Sequence, residues 1–496
     1  LSFVLTIDIG TTSAKVLVAS DKGKVMASAQ EFYPTSFPQP GFAVQDPKVV
    51  TDGILKIIRE ALNKFDSSPR IEAIGVSSAM HSLMAVDKSG TPITPLILWS
   101  DMRSSEQARS LQQTEEGREI YNATGTPIHP MSPLCKLMWM REHTPEIIEQ
   151  AWKFLSIKEY LFLILCDKFH VDYSVASSTG LFDVHKLDWS ERALKLAGIT
   201  KEKLSECVSP YNNTLRLKKD IAMALGLSTE VPIIPGVSDG CAAHLGSNAM
   251  EKGRLSLTIG TSGAVRIASK KYSPDPKQRI FNYRLDEHAF ISGGATNNGT
   301  VLLDWFCNNF YSGKTDIVEF VEAAAKIEPG ACGLVFLPYV FGERAPHYNP
   351  DLRGVFFGLA QHHTRSHMMR ALLEGICLEI RSIVESIEES IEPVTGILAS
   401  GGFVRSPLWL QLMANVLQKN ITLHDVNDAS SLGAAIIAFK GIGRDVAFGG
   451  IENKMIFEPD PSLMPLYDDL YGIFSRSTQA LTKEFSRIVR LQQSNV

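Results

Sequence analysis

One pattern, stated twice, limits what this chain can fold into. Phe3 to Ile9 is an apolar run that reads as a buried strand; Gly10 breaks it, and Lys15 to Ala19 returns as its hairpin partner. Leu255 to Val265 has the same form around Gly260-Thr261-Ser262-Gly263. Glycine lets a backbone bend tightly and lets a ligand come close. The N–H groups of such a turn, with the hydroxyls of Thr11, Thr12 and Ser13, suit phosphate oxygens. Asp8, at the strand end, suits a hydrated Mg²⁺, which takes one or two carboxylates plus substrate phosphates. A single such turn could equally be an ordinary hairpin. Two copies half a chain apart imply two halves on one plan, with two phosphate-holding hairpins facing across a cleft.

That plan resembles the actin-like (ribonuclease H-like) ATPase fold: an α/β protein with two such domains flanking a catalytic cleft. The length of 496 residues allows two to four domains. With 44% hydrophobic and 21% charged residues, the composition is that of an ordinary soluble globular protein. The formal net charge of −5 and the lack of a basic stripe argue against nucleic-acid binding. Seven cysteines, an odd number without Cys-x-x-Cys spacing, fit free thiols in a reducing compartment and neither disulfides nor zinc. No apolar run approaches the ~18 residues of a membrane span. The chain opens directly on a strand, so we expect no signal peptide and a cytoplasmic protein.

Along the first half, strands and helices alternate. Asp46-Pro47 starts a helix whose apolar positions Val50, Ile54, Ile57, Ile58 and Leu62 recur at helical spacing. Ile71 to Val76 is a strand that ends at Ser77-Ser78-Ala79-Met80-His81. Ligands collect at the carboxyl ends of strands in open α/β sheets, so His81 is well placed for one. A satisfied, partly buried histidine is the plain alternative. Ile97 to Arg103 ends in Trp99, Asp101 and Arg103, which offer a flat apolar face and groups for hydroxyls and anions. Asp239 follows the strand around Ile233 and precedes a helical stretch, so it is either a helix cap or a base held in a cleft. In the second half, Thr364 caps a helix to about Ser390, Val394 to Ala399 is a strand ending at Ser400-Gly401-Gly402, and Ser406-Pro407 opens a helix. Gly-Gly before a helix allows a nucleobase or ribose to come close, or simply makes a tight turn.

Two further patterns resemble the FGGY family of carbohydrate kinases, and the likeness runs over essentially the whole chain. Met131-Ser132-Pro133-Leu134-Cys135-Lys136-Leu137-Met138-Trp139 matches its first signature. Gly354 to Leu359 followed by His367 to Glu374, preceded by Gly342-Glu343-Arg344-Ala345-Pro346, matches its second. Within the family, Ser77 to Ser82, Trp99 to Ser104 and Thr124 to Pro133 are most similar to bacterial gluconokinases. The resemblance implies an ATP-dependent kinase of a sugar acid, D-gluconate first, with xylulose or another polyol as the alternative. An actin-like ATPase without a sugar substrate and a sugar-sensing repressor are the rivals from other classes.

The resemblance also implies roles. Asp239 is the general base and Asp8 serves Mg²⁺. Thr11, Thr12 and Lys15 face the γ-phosphate, and Gly260 and Thr261 the β-phosphate. Gly401, Gly402, Phe403 and Ser406 line the adenosine pocket, and Gly299 approaches the ribose. Met80, His81, Trp99 and Asp101 line the sugar pocket. Arg103 and His129 are candidates for the substrate's carboxylate, although Arg103 could instead be pinned by a neighbouring Asp. Met80-His81 stands where glycerol kinases carry an Arg-Glu pair, which favours a longer polyol. Residues 1–248 form the sugar-binding domain with the base, and 249–496 the nucleotide-binding domain. Partners are then ATP and a small sugar acid, with no nucleic acid and no membrane; a homodimer is left open.

Overall fold

The fold is that of a computed structural model, described over residues 2–65, 70–310, 317–423, 428–448 and 455–494. Two mixed sheets carry the two hairpins. In the first, the strand order is Leu215–Arg216, Pro232–Ile234, Ile71–Ser78, Phe3–Ile9, Ser13–Ser20, Val25–Phe32. In the second it is Phe281–Arg284, Phe290–Thr296, Gly263–Ser269, Arg254–Ile259, Gly396–Ser400, Ile421–Leu423, Ile456–Phe457.

The echo in sequence is an echo in topology. Phe3–Ile9 pairs antiparallel with Ser13–Ser20 and parallel with Ile71–Ser78. Arg254–Ile259 pairs antiparallel with Gly263–Ser269 and parallel with Gly396–Ser400. Each central strand is covered on both faces, so it reads as an unbroken apolar run rather than an alternating one. Val4, Leu5 and Ile7 are fully buried in the first, and Leu255, Leu257 and Ile259 nearly so in the second. The long helix Arg365–Ser390 packs its stripe of Met369, Leu372, Leu373, Ile376, Ile380 and Ile383 into the second core.

Two short helices close the space between the sheets. Asp239–Gly246 ends at a glycine whose Cβ, were one present, would lie 1.9 Å from the Ala429 carbonyl oxygen. Ala429–Gly441 answers with Gly433, where a Cβ would lie 1.9 Å from the Ala242 carbonyl oxygen. Only glycine permits so close a crossing. Although it comes late in the chain, Ala429–Gly441 packs on the first sheet, with the Ala434 carbonyl against Gly75. The earlier helix reaches the second sheet, where His244 Nδ1 meets the Ser256 hydroxyl at 2.8 Å. Among the described residues no helix is long and apolar enough to cross a membrane.

Candidate active site

A cleft with a cavity volume of about 340 Å³ opens where both hairpins and both crossing helices meet. Its charged lining is Asp8 and Asp239 on one side of the account and Arg266 and Arg344 on the other. Met80, His81, Trp99, Met131, Tyr283 and Tyr348 supply most of its apolar and aromatic wall.

Asp239 sits at a helix start, yet it is not the cap. Ser238 takes that position, with extended backbone and a hydroxyl that accepts from the Cys241 N–H at 3.4 Å. The Asp239 carboxylate accepts only from the Gly240 N–H, at 2.6 Å, and otherwise faces the cleft. A buried network fixes this turn. The Lys158 ammonium donates to Asp172 at 2.7 Å and to the Val237 carbonyl at 3.1 Å. Asp172 holds the Ser174 hydroxyl, which accepts from the Ser238 N–H at 2.6 Å. Lys158 and Asp172 are both fully buried, so the pair survives only because each charge satisfies the other and the backbone around it. Burial, and then the neighbouring Asp8 carboxylate, push Asp239 up to about 6.

Asp8 lies at the carboxyl end of the first central strand and accepts hydroxyls from Ser77, at 2.6 Å, and from Ser430. Burial holds it above the ordinary carboxylate range, against the pull of those two hydroxyls. One carboxylate ringed by hydroxyls and open to the cleft is the donor set of a hard cation that keeps most of its water. Lys15, opposite Asp8 in register, pairs with Asp428. Thr11 accepts from the Trp99 indole N–H at 2.9 Å, so the first hairpin and the wall of the cleft move as one piece. Thr12 is exposed at the tip of that turn, and Thr261 at the tip of the second.

His81 holds a left-handed backbone, φ 66°. Its Nδ1 is 2.7 Å from the Ser178 carbonyl and its carbonyl accepts from the buried Lys136 ammonium at 2.7 Å. A carbonyl can only accept, so Nδ1 carries the proton and Nε2 faces the Tyr283 hydroxyl at 3.4 Å as an acceptor. Burial, then Lys136, drive the imidazole down to about 3, which makes it neutral at working pH. Arg344 lies over the Trp99 ring, 4.5 Å from its centroid. Its Nε donates to Asn297 at 2.8 Å and its Nη2 to the Thr296 carbonyl at 3.1 Å.

Beside the second hairpin, Gly299 packs onto the turn, with the Thr300 N–H on the Gly260 carbonyl at 2.7 Å. Gly401 holds φ 96° against the Ile259 carbonyl, which brings the Gly401-Gly402 turn beside the second hairpin.

Five expected site residues have side chains engaged within the protein, Arg103 by the neighbouring Asp that the sequence left as its alternative. Asp101 is fully buried and its two oxygens are taken by Arg103 Nε and Nη2, each at 2.8 Å, and by the Ala43 and Arg103 N–H groups. Arg103 spends its guanidinium on that pair and on the Phe42 ring, 4.0 Å away. His129 is buried outside the lining, and its Nδ1 accepts from the Met131 N–H at 3.2 Å. Phe403 is a core residue, edge-on to Trp409 at 5.8 Å. Ser406 caps the helix Pro407–Leu417, as its place before Pro407 predicts, its hydroxyl accepting from the Trp409 N–H at 3.2 Å. The cleft's two arginines went unnoticed. Arg266 had one local signal, a lone charge in the apolar strand Gly263–Ser269.

Comparison with known proteins agrees with this geometry. The N-terminal domain of the FGGY family of carbohydrate kinases matches residues 3–246, and its C-terminal domain residues 255–442. The gluconokinase of Bacillus subtilis (strain 168) is 36% identical over 99% of this chain and 98% of its own. Two solved structures from Lactobacillus acidophilus, each 30% identical, cover 98% of this chain and 100% of their own. One is a gluconate kinase, with a TM-score of 0.93, and the other a ligand-bound xylulose kinase, with a TM-score of 0.94.

Proposed function

The chain belongs to the FGGY family of carbohydrate kinases, and from that premise we propose that it transfers a phosphoryl group from ATP to D-gluconate, giving 6-phospho-D-gluconate. The observation that carries the mechanism is Asp239: a carboxylate held rigidly in the cleft, relieved of capping by Ser238, and facing the Asp8 end of the first hairpin.

Phosphoryl transfer asks mainly for positioning and charge stabilisation. The turns at Gly10–Ser13 and Gly260–Gly263 present N–H groups and hydroxyls for the phosphates; Gly299 and Gly401 let their turns pack onto the second hairpin, and Gly402 leaves open space beside it for the nucleoside. Asp8, with Ser77 and Ser430 behind it, would hold Mg²⁺, which neutralises phosphate charge. Met80, His81 and Trp99 receive the carbon chain, the indole offering its flat face to C–H groups and neutral His81 offering hydrogen bonds. As the terminal hydroxyl attacks phosphorus, its proton passes to an Asp239 oxygen. That carboxylate must be ionised to accept it, so kcat/KM should fall as pH drops through about 6. Seven free thiols and a small-molecule reaction support a cytoplasmic enzyme.

The second reading is a neutral ketose, xylulose, favoured by the comparably similar xylulose kinase structure. An ATP-coupled screen of gluconate, xylulose, ribulose and glycerol separates them. Gluconate should give the highest kcat/KM. A clear preference for xylulose would replace the substrate and leave the kinase standing.

A further inference from the structure

We propose that Arg266 is the receptor for the substrate's carboxylate and so the residue that selects a sugar acid over a neutral sugar. The inference rests on the sugar-acid reading above and adds the group that enforces it.

Arg266 lines the cleft from the strand Gly263–Ser269. Its Nε is inaccessible and has no hydrogen-bond partner. Among the described residues its guanidinium forms neither a hydrogen bond nor an ion pair. Arg266 is half-buried, with its Nε enclosed and the residue lining the cleft, so an arriving anion finds a partly desolvated cation that no ion pair occupies. Asp239 is the carboxylate whose charge acts most on Arg266, but among the described residues the two form no ion pair, and Asp239 is needed as the base. The partner Arg266 lacks is therefore one that arrives with the substrate.

The other charged groups of the cleft do not compete for this role. Arg344 is already spent on Asn297, the Thr296 carbonyl and the Trp99 ring. Arg103 is closed against Asp101. Lys136 is enclosed, its ammonium shared between the His81 and Met131 carbonyls. Arg266 packs against Gly240, the residue after Asp239: a Cβ there would stand 3.0 Å from Arg266 Nε and 3.2 Å from Nη2, and the Arg266 charge draws Asp239 down while burial and Asp8 push it up. Gly240 thus leaves the space in which the guanidinium sits. Tyr283, beside Arg266 and His81, completes that end. On this reading a six-carbon acid with its terminal hydroxyl at Asp239 would place its carboxylate on Arg266 within the same cleft. Arg's planar fork suits a carboxylate with two parallel bonds.

The test uses the intact enzyme, D-gluconate and D-gluconamide, which has the same carbon chain without the charge. Wild type should prefer gluconate. Arg266→Met should raise KM for gluconate by about tenfold or more, since bonds to a charged group are worth about 1.5–3 kcal/mol, and should leave gluconamide within a few-fold. Arg266→Lys should restore part of the preference. Equal losses on both substrates, with the acid limb of kcat/KM moved upward for both, would assign Arg266 to Asp239 and overturn the proposal. Gluconate turnover that ignores Arg266→Met would overturn it too. Wild type that uses xylulose and not gluconate sinks the sugar-acid reading itself, and the receptor with it.

Discussion

The two hairpins carry the same backbone and opposite chemistry. In the first, Asp8 faces Lys15 across the strand pair. In the second, the matching pair is Thr258 and Ala264. Each hairpin has a crossing helix whose start bears an aspartate. Asp428 precedes Ala429–Gly441 on the first sheet and is neutralised by Lys15. Asp239 opens the other helix, and the place of its cation is held by Ala264. Two register pairs further from the turn, Leu17 in the first hairpin becomes Arg266 in the second. The first hairpin and its crossing helix therefore pair Lys15 with Asp428 and hold Asp8 on the Ser77 and Ser430 hydroxyls. The second hairpin and its helix leave Asp239 and Arg266 without an ion pair among the described residues, and those two groups face the same cleft.

The most damaging way to break this asymmetry is to remove the free anion. Asparagine at 239 keeps the shape and cannot take a proton. General-base contributions run at about 10²–10⁴-fold, so Asp239→Asn should lower kcat by at least about a hundredfold. Ser238 holds the cap, so the helix should be untouched. The sign of the stability effect follows from the raised pKa. The ionised carboxylate is more costly folded than unfolded, a penalty that grows above the unfolded value near 4 and is complete above about 6. The variant should therefore melt at or above the wild-type temperature at neutral pH. Turnover within a few-fold of wild type would place the base elsewhere.

The second experiment transplants the first half's cation into the second. Ala264→Lys puts an ammonium where Lys15 stands in the first hairpin. An adjacent cation lowers an aspartate pKa by about 1–3 units. Asp239 would become a weaker base, and kcat should fall about tenfold or more while the acid limb moves below pH 6. An unchanged limb would mean that Ala264 and Asp239 are not the counterparts of Lys15 and Asp428.

Much of this was legible before any coordinates. The duplicated hairpin is a local signal, apolar runs broken by Gly-Thr, and Met80, His81, Trp99 and Asp239 sit at or just beyond strand ends, where pattern alone directs attention. The misplaced residues share a different cause. Asp101 and Arg103 are two residues apart, and sequence cannot say whether such neighbours face a ligand or each other. Phe403 and Ser406 flank the right turn, but one side chain turns into the core and the other caps the next helix. Arg266 and Arg344 were missed because their value lies in which partners they have, and pairing is a property of tertiary packing. Arg266 stands opposite Ser256, within a strand that otherwise reads as core.

A smaller effect distinguishes the two turns from each other. Thr261 is exposed at its tip, and Thr261→Val should raise KM for ATP by about two- to tenfold, the worth of one hydrogen bond. Gluconate KM should hold. Thr11 also accepts from the Trp99 indole, so Thr11→Val should raise both KM values. Matching profiles for the two variants would show that the turns are interchangeable, against the division of labour drawn above.

The smallest effect is expected at Asp428, the counterpart of the base. It stands before its helix as Asp239 opens the other, and a strict twofold reading would give the two carboxylates equal importance. Their surroundings say otherwise. Asp428 is about a third exposed and already paired with Lys15, and exposed ion pairs contribute about 0–1 kcal/mol. Its backbone is left-handed, φ 67°, a conformation that asparagine tolerates as well as aspartate. Asp428→Asn should thus fold normally and keep kcat within about fivefold of wild type. Loss of the Asp428 charge should also ease Asp8 toward its ordinary range, because that charge is one of the influences that raise it. Lys15, released, would remain beside the phosphate-facing turn, so KM for ATP should not worsen. A hundredfold loss in kcat, measured beside Asp239→Asn under the same conditions, would show that both anions act in the reaction and that the asymmetry between the halves is not what makes one of them the base.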